Sequence, residues 1–196
     1  MIEHPEPPDD FDDRELPLRD IVGPVFRIHF ASRAAIYFGS AARNRFDAPA
    51  GEFGVLYCAE DEWGAFIETF GQATGVSSVT VSSLTANPMA RIALNRPLHV
   101  VDFASSGGLA RVGADARLCT GDHTLSRRWS LAVWRHPAQV DGIAYGCRHD
   151  PPRVAVAVFD RAADAVAADS LGPLTSLENE ELLGKILDTY GFGLIG

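Results

Sequence analysis

Hydrophobic and polar residues alternate cleanly over residues 25–30. The apolar side chains of this segment fall on one face of an extended chain, and Arg27 and His29 fall on the other. The pattern predicts a strand with one buried face and one polar or functional face. A short apolar run at residues 55–58 predicts a second strand. Residues 32–40 and 44–54, between these two segments, are predicted to be loops.

A helix is predicted to start at Glu60 or Asp61, directly after the second strand. Its apolar residues recur three and four positions apart, which indicates one buried helix face. These residues are Trp63, Phe66, Ile67 and Phe70. Glu68 points away from this face, and Gly64 and Gly71 on its own side leave room for another group to pack or bind there.

The rest of the chain predicts strands at residues 98–103, 143–145 and 154–159, and helices at residues 87–94, 122–136 and 176–190. The first of these helices rests on Asn87-Pro88, because Asn favours the helix cap and Pro the first helical position. Residues 77–83 are predicted to be an edge strand or a loop, and residues 105–108 a turn. About six strands and four helices indicate an α+β (mixed α/β) fold, a single compact domain with a small central sheet flanked by helices.

Charge divides the 196-residue chain into two unequal parts. Residues 1–20 carry eight acidic side chains and two arginines, which accounts for most of the net charge of −9. This Pro- and Asp-rich segment is predicted to be a mobile arm or a loosely docked extension, and residues 21–196 the folded domain. The nearly balanced charge of that domain is not typical of a protein that binds nucleic acid directly.

Three cysteines, without a C-x-x-C pair, indicate free thiols in a reducing cytoplasm. No apolar run reaches the roughly 18 residues of a membrane span, and the acidic start of the chain lacks the apolar core of a secretory signal. We therefore expect a cytoplasmic protein without a membrane partner. The six histidines lack metal-binding spacing, so no metal site is expected. Cys147 and His149 are too poorly placed along one strand to form a nucleophile and base.

Five polar residues lie on segments that can converge in the fold. They are Arg27, Tyr37, Arg45, Tyr57 and Glu68. Guanidinium groups bind phosphates through paired donors, tyrosine offers a flat ring and a hydroxyl, and a carboxylate stabilises a developing positive charge. This set is what binding of an anionic, aromatic dinucleotide and cleavage of its nicotinamide–ribose bond require.

From about residue 22 to residue 161 the chain resembles the RES-domain family. The resemblance is carried by Phe26-Arg27-Ile28, Ile36-Tyr37-Phe38, Asn44-Arg45-Phe46-Asp47, Gly54-Val-Leu-Tyr57, Ala65-Phe-Ile-Glu68-Thr-Phe and Asp141-Gly-Ile-Ala-Tyr145-x-Cys147. It implies a fold like that of ADP-ribosyltransferases and a toxin that degrades NAD by hydrolysis or phosphorolysis. It also implies an Xre-type antitoxin as partner, with self-association or a hetero-oligomer with the antitoxin.

The resemblance also implies a role for each of the five residues. Arg27 and Tyr37 would hold the phosphates and the nicotinamide, and Arg45 would add a second contact to an anion. Tyr57 would line the pocket of the ring, and Glu68 would be the catalytic carboxylate. NAD would be the substrate, and no prosthetic group is expected.

One position departs from the family pattern, which has a serine where this chain has Cys147. A thiol is larger than a hydroxyl and a weaker hydrogen-bond donor. If the position contacts NAD, the change weakens turnover, and a binding module that keeps the fold is one alternative. A protein ADP-ribosyltransferase that uses the same pocket is another, because the sequence does not reveal the acceptor.

Overall fold

The computed structural model describes residues 6–73 and 75–196 of the chain. The described strands are β1 (Leu18–Ile21), β2 (Val25–Ile28), β3 (Val55–Ala59), β4 (Ser78–Thr80), β5 (Met89–Leu94), β6 (Leu98–Asp102), β7 (Gly142–Cys147), β8 (Asp150–Phe159), β9 (Val166–Gly172) and β10 (Gly193–Ile195). The described α-helices are α1 (Glu62–Phe70), α2 (Val81–Ala86), α3 (Gly108–Val112), α4 (Arg117–Thr120), α5 (His123–Arg135) and α6 (Glu180–Tyr190). Short 3-10 helices lie at Phe11–Asp13, Asp160–Ala165 and Leu177–Asn179.

Eight strands form one sheet in the order β1-β6-β7-β8-β3-β2-β5-β9, while β10 pairs in parallel with β4. Only β6 and β7 run parallel within the large sheet, and α3 to α5 lie in the crossover between them. Ala157 of β8 pairs with Tyr57 on one side and with Ile143 on the other. The mixed α/β class predicted from the sequence is confirmed, and the sheet has more strands than the small sheet that was expected.

The sheet separates two groups of buried side chains, because neighbouring residues of a strand point to opposite faces. On the face under α5, Val101 and Phe159 join a cluster that includes Trp129. On the other face, Val100 and Val158 join a second cluster, against which Ile36 and Phe38 of the loop after β2 pack. A third cluster fills the space between α1, α2, α6 and the adjoining strands.

Helix α1 begins as the sequence predicts. The Asp61 side chain caps it by accepting a hydrogen bond from the Gly64 amide at 2.7 Å. A Cβ atom on Gly64 would lie 2.9 Å from the Cβ of Ala59, so glycine is what lets the helix approach β3 this closely. Phe66 and Ile67 are buried in the predicted apolar face.

The prediction of a helix at residues 87–94 is wrong, because residues 89–94 form strand β5 between β2 and β9. Asn87 closes α2 at its C-terminal end, and Pro88 prevents the helix from continuing. An Asn-Pro pair therefore marks the end of one helix here instead of the start of another. Residues 77–83, predicted to be an edge strand or a loop, contain β4 and the first turn of α2.

The described part of the acidic N-terminal segment packs against the rest of the protein. The Phe11 ring contacts the Trp129 ring edge-on at 5.5 Å, and the Arg14 carbonyl lies 3.2 Å from Nε2 of His136. The predicted boundary after residue 20 falls inside β1, which pairs with β6. Residues 1–5 of the predicted arm lie outside the described residues. No helix among residues 6–73 and 75–196 is both long and apolar enough to cross a bilayer.

Candidate active site

A cavity of about 450 Å³ lies where β2, β3 and α1 meet the loop of residues 43–47. This volume falls in the range of small-molecule sites. The cavity is lined by charged and polar side chains that come from distant parts of the sequence. They include Arg27, Asn44, Arg45, Tyr57, Glu68, Gln72, His123, Tyr145 and Arg148.

The residues predicted for the site are the five polar residues named above and Cys147. Four of these six line the cavity, namely Arg27, Arg45, Tyr57 and Glu68. Tyr37 is not among the lining residues: its carbonyl accepts a hydrogen bond from Nη1 of Arg27 at 3.2 Å, and its ring lies 5.0 Å from the Arg33 guanidinium. Cys147 does not line the cavity either, since it is buried and packs against α1. A Cβ atom on Gly64 would lie 3.6 Å from its sulfur.

The Arg27 side chain is half-buried and faces no carboxylate at ion-pair distance among the described residues. Burial lowers the pKa of Arg27, and Arg33 acts in the same direction. Arginine nevertheless stays charged at neutral pH. A half-buried cation whose protein partner is a backbone carbonyl retains donors and positive charge for an anionic ligand.

Arg45, also half-buried, lines the same cavity. Its Nη1 donates to the carbonyl of Gly121 at 2.8 Å, with Leu118 carbonyl and Ser126 hydroxyl oxygens at 3.4 Å. Burial lowers the pKa of Arg45, and again no described carboxylate pairs with it at ion-pair distance. The cavity therefore contains two guanidinium groups whose charge the protein leaves unneutralised by direct ion pairs.

Glu68 contributes a carboxylate to the same cavity. Its Oε1 accepts a hydrogen bond from the Arg148 amide at 3.0 Å. Burial raises the pKa of Glu68, and the Arg148 amide and Arg45 oppose that rise. A carboxylate held by a backbone donor and kept from bulk water is suited to stabilising a positive charge that develops next to it.

Tyr57 uses its hydroxyl within the protein. The hydroxyl donates to Oδ1 of Asp47 at 2.9 Å and accepts from the Phe46 amide at 3.0 Å. Burial and Asp47 raise the pKa of Tyr57 well above its ordinary value, so the phenol stays neutral. The ring, and not the hydroxyl, is the part of Tyr57 that remains for a ligand.

Sequence reasoning assigned no role to several lining residues. His123 begins α5, and its Nδ1 lies 3.3 Å from the Arg43 carbonyl. Burial and Arg45 lower the pKa of His123, so the imidazole is neutral at pH 7. Tyr145 and Arg148 belong to or follow a segment that the family resemblance covers, whereas no local pattern distinguishes His123.

The thiols of the cavity are not suited to nucleophilic attack. Burial raises the pKa of Cys58 and of Cys119 to about 12, so both stay protonated. Burial also raises the pKa of Cys147. No group of three or more potential metal ligands occurs within residues 6–73 and 75–196. The cavity is thus suited to binding an anion beside the Glu68 carboxylate, which is partly shielded from water.

Comparisons with known proteins place the chain in a family. The model of the RES domain matches residues 24–178. A Sinorhizobium fredii protein named Probable toxin y4kH is 31% identical over 122 residues, which are 62% of this chain and 93% of that protein. A crystal structure of the M. tuberculosis MbcT-MbcA toxin-antitoxin complex superposes with a TM-score of 0.65 at 19% identity, covering 89% of this chain and 94% of that one. The chain belongs to the RES-domain family.

Proposed function

We propose that this protein is the toxin of a toxin–antitoxin pair and that it degrades NAD. The reaction cleaves the bond between nicotinamide and ribose, with water or inorganic phosphate as the acceptor. The observation that carries the proposal is that Arg27 and Arg45, half-buried and without an ion-pair partner among the described carboxylates, share one cavity with Glu68.

The cavity matches the charges of NAD part by part. The pyrophosphate is an anion, which fits the two guanidinium groups. The nicotinamide is a cationic ring that leaves as a neutral molecule when the bond to C1′ of the ribose breaks. An oxygen of water or phosphate forms the new bond to C1′, and the proton of water, or of monohydrogen phosphate, passes to solvent.

Glu68 acts on the transition state in this scheme. As the pyridinium leaves, positive charge spreads over C1′ and the ring oxygen of the ribose, and a nearby carboxylate stabilises it. No strong general acid is needed, because the leaving group is already cationic. The neutral His123 imidazole and the Tyr145 ring complete the wall of the cavity.

The partner of the protein is proposed from its relatives. One of them is named a probable toxin, and another was crystallised as a toxin-antitoxin complex. We expect expression of this chain alone to stop growth and expression together with the neighbouring reading frame to restore it. If the antitoxin is of the Xre type, the neighbouring reading frame should encode a helix-turn-helix segment.

The test of activity is nicotinamide release from NAD by the purified protein, with and without phosphate. Glu68→Gln, which keeps the shape of the side chain, is expected to lower the rate by about 100-fold or more. Equal release by wild type and Glu68→Gln, or none by either, would overturn the proposal. NAD labelled in the adenylate part separates the acceptors: label on a protein band indicates protein ADP-ribosylation, and label in small molecules indicates water or phosphate.

A further inference from the structure

The loop of residues 43–47 places the Arg45 side chain at the cavity. The same loop contains the carboxylate of Asp47, which does not pair with Arg45. Asp47 is 1% exposed. Its Oδ2 accepts hydrogen bonds from the amides of Arg43 and Asn44, both at 2.9 Å. Its Oδ1 accepts from the Tyr57 hydroxyl at 2.9 Å. Both oxygens are therefore occupied by neutral donors.

Tyr57 closes this arrangement from the strand side. The hydroxyl that donates to Asp47 also accepts from the Phe46 amide at 3.0 Å. Three backbone amides of the loop, those of Arg43, Asn44 and Phe46, thus donate to one carboxylate and one phenol. Arg45 is the residue in the middle whose side chain is left to face the cavity.

The carbonyl side of the same loop is held by α5. The Arg127 Nε donates to the Asn44 carbonyl at 3.0 Å, and the Ser130 hydroxyl donates to the Phe46 carbonyl at 2.7 Å. Ala42, just before the loop, adopts a left-handed backbone conformation with φ of 50°. A non-glycine residue keeps such a conformation only where its surroundings fix it, as they do here.

We propose that Asp47 is a positioning residue: its buried carboxylate fixes the loop and the Tyr57 hydroxyl, so that the Arg45 guanidinium is presented, unneutralised, to an anionic substrate. The inference rests on the proposed function, because it takes the anion to be the pyrophosphate of NAD. Asp47 touches no ligand itself and acts through Arg45.

Asp47→Asn is the direct variant. An amide has only one oxygen, so it cannot accept from the two backbone amides on one side and from Tyr57 on the other. The probe is ADP-ribose, whose binding is measured by calorimetric titration. We expect Asp47→Asn to raise the Kd for ADP-ribose by about tenfold, the loss of one well-placed charged contact.

Asp102→Asn is the matched control. Asp102 is also a buried carboxylate whose oxygen accepts from two consecutive amides, those of Ala104 and Ser105, both at 2.9 Å. It does not line the cavity. We expect it to lower the melting temperature about as much as Asp47→Asn and to leave the Kd for ADP-ribose within about twofold of wild type.

A double-mutant cycle distinguishes positioning from general loosening of the fold. In an Arg45→Gln background, Asp47→Asn should change the Kd by less than about twofold, because the group that it positions is gone. An equal loss in both backgrounds would overturn the inference. If Asp47→Asn does not fold, Tyr57→Phe serves instead, because it keeps the ring and removes the hydroxyl that donates to Asp47. We expect Tyr57→Phe to weaken ADP-ribose binding by about threefold. Unchanged binding in this variant would contradict the inference.

Failure of this inference is distinguishable from failure of the proposed function. If the wild type neither binds ADP-ribose nor consumes NAD, the proposed function fails and the inference falls with it. If the wild type does both while folded Asp47→Asn binds ADP-ribose as tightly as the wild type, the role of Asp47 alone is refuted.

Discussion

Two regions of the molecule combine an arginine with a buried aspartate and use them in opposite ways. At one end of the sheet, Nη1 and Nη2 of Arg96 donate to the two carboxylate oxygens of Asp141, at 2.6 and 2.9 Å. Asp141 also accepts a hydrogen bond from the His99 amide. In the loop of residues 43–47, the Asp47 carboxylate instead accepts hydrogen bonds from backbone amides and from the Tyr57 hydroxyl. Arg45, two residues away, keeps its charge for the cavity.

The difference shows that the partners of the carboxylate decide what the arginine can do. A guanidinium with both terminal nitrogens on one carboxylate is neutralised and serves to hold the chain together. A guanidinium held by carbonyl oxygens is positioned and remains a cation for a ligand. Arg27, whose terminal nitrogen contacts the Tyr37 carbonyl, follows the second pattern.

Removal of the Arg45 side chain is the change expected to have the largest effect. Arg45→Ala should lower kcat/KM for NAD by about 100-fold, or ~2.7 kcal/mol, because it deletes charged contacts to the substrate. The melting temperature should fall only modestly, because Arg45 donates hydrogen bonds to carbonyl oxygens but forms no ion pair with a described carboxylate. Nicotinamide release and thermal unfolding measure the two quantities.

Arg96→Ala is the counterpart in the other region. It should leave kcat/KM unchanged and lower the free energy of unfolding by about 1 to 2 kcal/mol, a figure reduced because water screens the partly exposed guanidinium. If Arg96→Ala lost activity while Arg45→Ala kept it, the division between a structural and a ligand-binding arginine would be wrong.

The dependence on pH sharpens the comparison at Glu68. Burial raises the pKa of Glu68 above its ordinary 4.5, against the Arg148 amide and Arg45. The carboxylate must be ionised to stabilise a cation, so kcat/KM should fall about tenfold for each pH unit below the raised pKa. Arg45→Gln removes a charge that lowers this pKa and should shift the acid limb to higher pH. A limb below pH 4.5 in the wild type would contradict this environment for Glu68.

The smallest effect is expected at Cys147, which packs against α1 and does not line the cavity. Cys147→Ser should change the rate of NAD loss by less than about threefold, equivalent to ~0.6 kcal/mol. A tenfold gain would instead place this position in the reaction and would support the interpretation of the native chain as a weakened binding module.

Sequence patterns predicted those parts of the fold that local periodicity determines. The apolar spacing in α1, α5 and α6 and the alternation in β2 identified these elements, because each buries one face. Strands β1, β5, β9 and β10 were missed. β9 is an exposed edge strand without an apolar alternation, and β5 exists through its pairing with two neighbours.

The candidate site divides in the same way. Arg27, Arg45, Tyr57 and Glu68 lie in segments that the family resemblance covers, so the sequence indicated them together. His123 lines the cavity, and the carbonyls of Leu118 and Gly121 contact Arg45, because the crossover after β6 folds back toward the loop of residues 43–47. The role of Asp47 was equally hidden, since its partners are backbone amides, which every sequence has.

The antiparallel pairing of β3 with β8 also bears on when the cavity forms during synthesis of the chain. Tyr57 lies opposite Ala157, a hundred positions further along the chain, so one side of β3 gains its neighbour only after most of the polypeptide has left the ribosome. A nascent chain that stalls before this point has no complete cavity. The cavity is therefore completed late in synthesis, after the strands that follow residue 141 have emerged.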